Sequence, residues 1–286
     1  MSRPSGIGRA SMARWSATSR STASASTAWE GQGRLVLLLH GFPETSRAWR
    51  KQMPALAERF RVVAPDLRGF GASDKPKGIG AYRTSVVAQD IVGLIHAFDA
   101  ERAHVVGHDW GGGAAWTVAT LHPEAVDRLV VLNCPHPAVM ARASVRTGPR
   151  SGRAGTSSRS RSHGSRNGRS GAARRRGSKT RSSAPRSHQL LRAGAKRTAQ
   201  AADRRAARPE DYYRAAVRSR VARGKIKAPT LLIWAEDDFA LGIELTRGMD
   251  GLFESPPRIE YVPNAGHWVM EERPELVNRL LLEFLA

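Results

Sequence analysis

The stretch Ala103-His-Val-Val-Gly-His-Asp-Trp-Gly-Gly-Gly-Ala114 decides how this sequence folds. It begins with an apolar run that is typical of a buried parallel strand, and a good helix sequence follows its glycines. Between strand and helix, Gly107-His-Asp-Trp-Gly111 has the spacing of a nucleophile elbow, Gly-x-Ser-x-Gly, with Asp109 in the serine position. Glycine relieves crowding in so sharp a turn because it has no Cβ. The alternative at this point is a glycine-rich turn in which Asp109 only caps a helix.

The rest of the chain alternates apolar runs with segments of helical periodicity. The predicted strands lie at 35–39, 61–64, 126–132, 230–234 and 258–262, and the predicted helices include 49–57, 85–98, 114–121, 212–217 and 274–285. Strands that alternate with helices predict a mostly parallel sheet with helices on both faces. The fold class is therefore α/β. Residues 1–32 show neither periodicity and predict a low-complexity segment.

Composition separates one segment from the remainder. The net charge of +21 is concentrated in residues 142–227, which contain 26 Lys and Arg but only Asp203, Glu210 and Asp211 as acids. Cys134 is the single cysteine, which predicts a reducing, cytoplasmic setting without disulfides. No apolar run approaches the ~20 residues of a membrane span, so no membrane association is expected.

Three residues follow predicted strands in a meaningful order. Asp109, Asp238 and His267 occur as nucleophile, acid and base, which is the chain order of the α/β-hydrolase triad. Ligands bind at the carboxyl ends of parallel strands, where these residues are expected to meet. A helix cap at Asp238 and a surface turn at His267 are the alternatives for each residue alone. Three coincidences in the right order are a poorer explanation than one active site.

Several motifs carry a resemblance to a known family. They are His40-Gly-Phe-Pro43, Asp66-Leu-Arg-Gly-Phe-Gly-Ala-Ser-Asp74, Gly107-His-Asp-Trp-Gly-Gly112, Asn133-Cys-Pro-His-Pro137, Ala235-Glu-Asp-Asp-Phe-Ala-Leu241 and Gly266-His-Trp268. Over residues 33–140 and 224–286 the sequence resembles α/β-hydrolases of the soluble epoxide hydrolase type. Haloalkane dehalogenases share the aspartate nucleophile and are the alternative within the superfamily. The resemblance implies a small hydrophobic epoxide and water as substrates, with no cofactor and no metal.

The resemblance also implies roles for individual residues. Asp109 attacks the epoxide and forms an ester, which water activated by His267 and Asp238 hydrolyses to a diol. The backbone amides of Phe42 and Trp110 form the oxyanion hole. Tyr213, with Tyr212 as the second choice, donates a hydrogen bond to the epoxide oxygen. The remaining assignments, to substrate binding, are His40, Pro43 and Trp268.

The basic block lies where the family has a cap. The predicted division is a low-complexity segment 1–32, a first core part 33–141, an Arg/Ser-rich segment 142–223 in place of the cap, and a second core part 224–286. One interpretation of the block is a nucleic-acid-binding insertion on a hydrolase remnant.

The preferred interpretation of the block is a cap translated in a shifted reading frame. A shifted frame can convert Arg153-Ala-Gly-Thr-Ser-Ser158 to Ser-Trp-Tyr-Ile-Phe, and residues 15–30 to a sequence like the family's first strand pair. We therefore expect a disrupted first hairpin, a disrupted cap and impaired activity. Residues 142–208 carry so little apolar surface that we expect them to be mobile and to make few core contacts.

Overall fold

The computed structural model describes residues 24–29, 33–146, 210–219 and 221–286. Within them, seven strands form one sheet in the order β1-β3-β2-β4-β5-β6-β7. The strands are β1 (Ser24–Trp29), β2 (Leu35–Leu39), β3 (Arg61–Asp66), β4 (Ala103–His108), β5 (Val126–Leu132), β6 (Thr230–Ala235) and β7 (Arg258–Val262). Only β1, at one edge, runs antiparallel to its neighbour β3, and the other five pairings are parallel. The α/β fold predicted from the sequence is confirmed.

Helices cover both faces of the sheet. They are α1 (Met53–Ala57), α2 (Thr84–Ala97), α3 (Trp110–Leu121), α4 (Pro137–Arg146), α5 (Glu210–Arg218), α6 (Val269–Glu272) and α7 (Pro274–Leu285). Successive residues of a strand point to opposite faces, so Val105 packs with α2 and α3 whereas Val106 packs with α1, α6 and α7. Both faces of β4 are buried, as the apolar run predicted. In the described ranges no helix has the length and apolar character needed to cross a membrane.

Most predicted elements have the expected bounds. The strands at 35–39, 126–132 and 258–262 and the helix at 274–285 match to the residue. The prediction of one helix through 49–57 was wrong. A short 3-10 helix, Ser46–Trp49, is followed by a separate α1. Pro54 explains the interruption, because its missing N–H cannot continue a helix that began before it, although it is tolerated in the first turn of α1.

The prediction that residues 1–32 contain no strand was wrong for β1. Ser24–Trp29 pairs with the edge of β3, with Ala28 opposite Val63 and Trp29 opposite Val62. Such an edge strand is held by main-chain hydrogen bonds, which do not require the apolar alternation that a sequence pattern detects. The first 23 residues lie outside the described part of the chain.

The basic block is described only at its margins. α4 continues the described chain to Arg146, into the predicted Arg/Ser-rich segment, and Arg142 Nη2 donates to the Gly248 carbonyl at 2.6 Å. The expectations of mobility and of a shifted frame for 142–208 concern a segment of which most lies outside the described residues.

Candidate active site

Asp109 occupies the turn between β4 and α3 with a backbone conformation that non-glycine residues rarely adopt. Its φ is 49° and its ψ is −118°. A Cβ on Gly111 would lie 2.2 Å from the Leu39 carbonyl oxygen, and one on Gly107 would lie 2.4 Å from the Gly111 carbonyl oxygen. The two glycines therefore permit the close approach that the elbow requires. The Asp109 side chain makes no capping hydrogen bond to α3, so the interpretation as a helix cap was wrong.

The loop after β2 supplies a donor to the Asp109 carboxylate. The Phe42 amide donates to Asp109 Oδ1 at 2.8 Å. A Cβ on Gly41 would lie 2.5 Å from the Asp109 Cβ, so the loop packs directly against the side chain. Trp110 is the first residue of α3, where backbone N–H groups have no partner within the helix. The two amides predicted as the oxyanion hole thus belong to segments that flank Asp109.

His267 lies between two carboxylates. Its Nε2 is 3.5 Å from Asp109 Oδ2, and its Nδ1 is 2.8 Å from Asp238 Oδ2. The His267 and Asp238 side chains are 5% and 1% exposed, whereas Asp109 is 19% exposed, so the nucleophile candidate is the accessible member. The three residues therefore lie together in the structure, although Asp109 and His267 are 158 positions apart in the sequence.

The charges of the three groups are strongly coupled. Burial alone would raise the pKa values of Asp109 and Asp238, but hydrogen bonding to His267 and its charge lower both below the usual range. Burial disfavours a charged His267, yet hydrogen bonds to Asp109 and Asp238 outweigh it and raise its pKa to about 10. At neutral pH the group is therefore an imidazolium between two carboxylates.

Two adjacent tyrosines of α5 point to different surroundings. The Tyr212 side chain is 2% exposed and its hydroxyl donates to the Arg68 carbonyl at 2.9 Å. Tyr213 is 51% exposed, and its ring meets Trp110 edge-on at 4.8 Å and Phe42 at 6.1 Å. Burial and the nearby Asp109 charge raise the pKa of Tyr213, so the hydroxyl remains a donor at neutral pH. Tyr213, and not Tyr212, faces the Asp109 surroundings.

The three residues assigned to substrate binding have different positions. His40 is fully buried, its Nε2 accepts from the Leu67 amide at 3.0 Å and its Nδ1 is 2.9 Å from the Gly41 carbonyl. Both ring nitrogens are thus engaged by backbone, which suits a role in fixing the loop. Pro43 follows a cis peptide bond and is partly exposed. The Trp268 ring packs on His267 at 5.5 Å and continues the wall of the site.

Asn133 was part of a quoted motif but was not predicted as a site residue. It follows β5, and its Nδ2 donates to Asp238 Oδ2 at 2.7 Å. Its Oδ1 accepts from the Ala235 amide at 3.2 Å, so the side chain connects two strand ends. Its φ is 44°, a conformation that asparagine adopts more readily than most residues. An asparagine directly after a buried strand was the available signal.

A second buried pair, His108 and Glu44, contacts the backbone of His267. His108 Nε2 donates to the His267 carbonyl at 2.8 Å, and His108 Nδ1 lies 3.0 Å from Glu44 Oε2. The same carboxylate oxygen accepts from the Gly41 amide at 3.3 Å. The signal in the sequence was a histidine at the end of the buried strand β4, directly before Asp109. The pair ties the His267 backbone to the loop that carries Phe42.

Phe239 was also not singled out as a site residue. It directly follows Asp238, is 55% exposed, and its ring lies 5.9 Å from that of His267 and 5.8 Å from that of Trp268. Aromatic rings therefore border His267 on the side of Asp238, as they border Asp109 on the side of Tyr213. The surroundings of the triad are apolar, with a few convergent polar groups, which is the usual composition of a small-molecule site.

The elbow, the strand order and the three coupled groups define an α/β hydrolase. The chain belongs to this family, since the sequence profile of the alpha/beta hydrolase fold matches residues 34–274. Within the family it is of the epoxide hydrolase type. Epoxide hydrolase 3 of Xenopus tropicalis is 32% identical over 275 residues, which cover 88% of this chain and 71% of that protein.

Other relatives match a shorter part of this chain. The AB hydrolase superfamily protein YfhM of Bacillus subtilis is 50% identical over 109 residues, which are 38% of this chain and 38% of that protein. Epoxide hydrolase B of Mycobacterium tuberculosis is 50% identical over 105 residues, 36% of this chain and 30% of that protein. The chain thus matches less than two-fifths of the length of these two relatives.

Solved structures agree with this assignment. An epoxide hydrolase of Bacillus megaterium, crystallised with an inhibitor, superimposes with a TM-score of 0.66 at 25% identity, over 90% of this chain and 94% of that chain. An epoxide hydrolase from hot-environment metagenomes gives a TM-score of 0.60 at 28% identity, over 91% and 95%.

Proposed function

We propose that this protein hydrolyses epoxides to vicinal diols through a covalent ester on Asp109. The observation that carries the proposal is the position of the Asp109 carboxylate, with Oδ1 on the Phe42 amide at 2.8 Å and Oδ2 3.5 Å from His267 Nε2. The relatives named as epoxide hydrolases support the choice of substrate class.

In the first step, Asp109 Oδ2 attacks an epoxide carbon. A carbon–oxygen bond forms to the carboxylate, and the ring carbon–oxygen bond breaks to leave an alkoxide. The Tyr213 hydroxyl hydrogen-bonds to this oxygen as charge develops and gives it a proton. The half-exposed position of Tyr213 over Trp110 supports this role. Haloalkane cleavage would release a halide and has no need of such a proton donor.

In the second step, His267 takes a proton from water, which attacks the ester carbonyl carbon of Asp109. Asp109 Oδ1 carries the negative charge of the tetrahedral intermediate, where the Phe42 and Trp110 amides stabilise it. The ester then breaks, and the departing alkoxide takes the second proton of the attacking water, so the diol leaves and the Asp109 carboxylate returns. Asp238, held by Asn133, orients His267 and stabilises its positive charge.

The first step prepares the base for the second. Esterification removes the negative charge of Asp109, which is one of the two groups that raise the pKa of His267. The pKa of His267 therefore falls when the ester forms, and the imidazolium releases its proton, which returns through solvent to the Tyr213 phenolate. A neutral imidazole is then available only after the nucleophile has reacted.

We further propose that a cap translated in a shifted frame occupies 142–208. Its composition, with Arg, Ser, Gly and Ala dominant, supports this, as does the absence of Trp and Tyr between residues 142 and 208. The family's first cap tyrosine would lie there. Identities of 50% confined to 105–109 residues also fit a conserved core beside an altered segment.

The proposal is tested with styrene oxide and a bromoalkane under single-turnover conditions, with protein in excess. Formation of phenylethanediol, preceded by a mass increase on the peptide that contains Asp109, is expected. Halide release without diol would assign the protein to the dehalogenases instead. A diol that forms with no ester on Asp109 would contradict the covalent mechanism.

A further inference from the structure

Tyr212 is the buried neighbour of the residue proposed to protonate the epoxide oxygen. Its hydroxyl donates to the Arg68 carbonyl at 2.9 Å, and burial raises its pKa, so the hydroxyl stays protonated. In the chemistry proposed above it has no part, because its only polar atom is already engaged away from Asp109.

The acceptor of this hydrogen bond is itself held rigidly. Arg68 makes two hydrogen bonds to the carboxylate of Asp90, from Nε at 2.5 Å and from Nη2 at 2.6 Å. Its Nη1 donates to the Ala81 carbonyl at 2.8 Å. The side chains of the pair are 7% and 4% exposed. A buried bidentate pair of this kind has a fixed geometry, so the Arg68 carbonyl offers α5 a defined point of attachment.

The ring of Tyr212 sits among three aromatic side chains of the core. Its centroid lies 5.4 Å from Phe70, 5.4 Å from Tyr82 and 5.5 Å from Trp110. Trp110 also receives the edge of Tyr213 at 4.8 Å, so one indole contacts both tyrosines. The position of Tyr213 beside Trp110 thus depends on how the Tyr212 ring packs against the same indole.

The remainder of α5 is weakly held. Its buried residues in the described chain are Asp211, Tyr212 and Ala215, whereas Val217 is 87% exposed. Arg214 and Arg218 bond within the helix, to Asp211 and to the Arg214 carbonyl. Tyr212 therefore provides both the largest buried ring of α5 and a hydrogen bond from the helix to the core.

We propose that Tyr212 is a positioning residue, whose hydrogen bond to the Arg68 carbonyl holds the Tyr213 hydroxyl at the epoxide oxygen. This inference rests on the proposed epoxide hydrolysis. It predicts that the Tyr212 hydroxyl affects ring opening, which uses Tyr213, and leaves ester hydrolysis, which uses His267, unchanged.

The test is Tyr212→Phe, measured in single turnover with styrene oxide. We expect the rate of ester formation to fall by about 10²-fold, as a misplacement of about 1 Å can cause. Tyr261→Phe is the matched control, since its hydroxyl also makes one hydrogen bond, to Thr246 at 2.8 Å, but lies outside the site. The rate of ester hydrolysis is expected to be the same in both variants and in the parent.

A double-mutant cycle separates positioning from a general loss of stability. If Tyr212 acts through Tyr213, then Tyr212→Phe will have no further effect on ester formation in a Tyr213→Phe background. Additive effects of the two substitutions would overturn the proposal. An equal slowing of ester formation and ester hydrolysis by Tyr212→Phe would also overturn it.

Hydrogen exchange provides a readout that needs no activity. Amides of α5 are expected to exchange faster in Tyr212→Phe than in the parent and in Tyr261→Phe, because the attachment to Arg68 is lost. Unchanged exchange in α5 would overturn the anchoring. If the parent forms no ester, the proposed function is wrong. The exchange rates alone then test whether the Tyr212 hydroxyl anchors α5 to the core.

Discussion

His267 Nε2 and Asp109 Oδ2 lie 3.5 Å apart, on the open side of a histidine whose other nitrogen is 2.8 Å from Asp238. In the proposed mechanism the longer distance belongs to Asp109, which must react with the substrate. The shorter distance belongs to Asp238, which must stay in contact with His267. The arrangement couples the charge of the nucleophile to that of the base, and it underlies the first two predictions.

Substitution of the two reacting residues should separate the two steps. Asp109→Ala should abolish turnover, because no other carboxylate can form the ester. His267→Gln should accumulate the ester, because attack precedes the step that needs a base. Mass spectrometry after mixing with styrene oxide should show a lasting adduct in His267→Gln and none in Asp109→Ala. Steady turnover at the parent rate in either variant would contradict the assignment.

The two steps should also differ in their dependence on pH. Asp109 is ionised throughout the neutral range because its pKa is lowered, so ester formation should be nearly constant between about pH 6 and 8. Ester hydrolysis requires neutral His267 and should rise with pH to a plateau. Its midpoint should lie below the value of about 10 found in the resting site, since Asp109 no longer carries charge. Single-turnover rates of both steps test this, and a hydrolysis rate that falls with pH would contradict it.

Acid should destabilise the fold through His104. This histidine is 2% exposed, neither ring nitrogen is hydrogen-bonded to any residue in the described ranges, and burial lowers its pKa from 6.5 to about 4. Between these values the unfolded chain binds more protons, so the free energy of unfolding decreases as pH falls. The loss is on the order of 3 kcal/mol. The site carboxylates contribute only below this window, since their pKa values are lowered from 3.8.

Denaturant unfolding between pH 7 and 4 measures this effect. His104→Phe keeps a ring against Phe60, which lies 5.8 Å away, and should weaken the dependence without abolishing it, because burial also lowers the pKa values of His40 and His136. His96→Gln changes an exposed histidine of α2 and serves as the control. An equal dependence in His104→Phe and the parent would show that His104 is not responsible.

Gly41→Ala should displace the nucleophile. The added Cβ would lie 2.5 Å from the Asp109 Cβ, so the loop or the carboxylate must move. Ester formation should slow by about 10²-fold because alignment with Phe42 is lost. Gly113→Ala is the matched control within α3, since nothing lies within 4 Å of its added Cβ. Equal rates in the two variants would contradict the packing argument.

Restoration of the shifted segments should increase activity. Steady-state turnover by the chain as it stands is expected to be very weak, since one missing donor to the alkoxide typically costs about 10²–10³ in rate, so its ester and diol are sought in single turnover with protein in excess. A version with 15–30 and the basic block returned to the other frame should convert styrene oxide readily. Comparable diol formation by both, at matched folded concentration, would contradict the shifted-frame proposal. The nucleotide sequence provides an independent check.

Much of the fold follows from local pattern. The bounds of β2, β5 and β7 were predicted to the residue. β2 is a continuous apolar run buried along its whole length, as expected of a central parallel strand. The elbow at Asp109 was predicted because its glycines are required by short-range crowding. The order of Asp109, Asp238 and His267 indicated a shared site, because parallel strands deliver their carboxyl ends to one edge.

Other features were decided by contacts that no local pattern records. β1 forms because the edge of β3 offers unpaired main-chain groups, which accept a segment of small and polar residues. Asn133 and the pair of Glu44 with His108 became site residues only through hydrogen bonds between separate strand ends.

The two tyrosines of α5 show the division between sequence and tertiary structure most directly. The sequence alone determined that a Tyr-Tyr pair lies near the end of the Arg/Ser-rich segment, and the family resemblance predicted that one member serves the site. Consecutive residues of a helix point about 100° apart, so only one of them could face Asp109. The Arg68 carbonyl and the aromatic side chains around Tyr212 decided which of the two tyrosines does so. These groups lie far from Tyr212 in the sequence and hold its ring in the core.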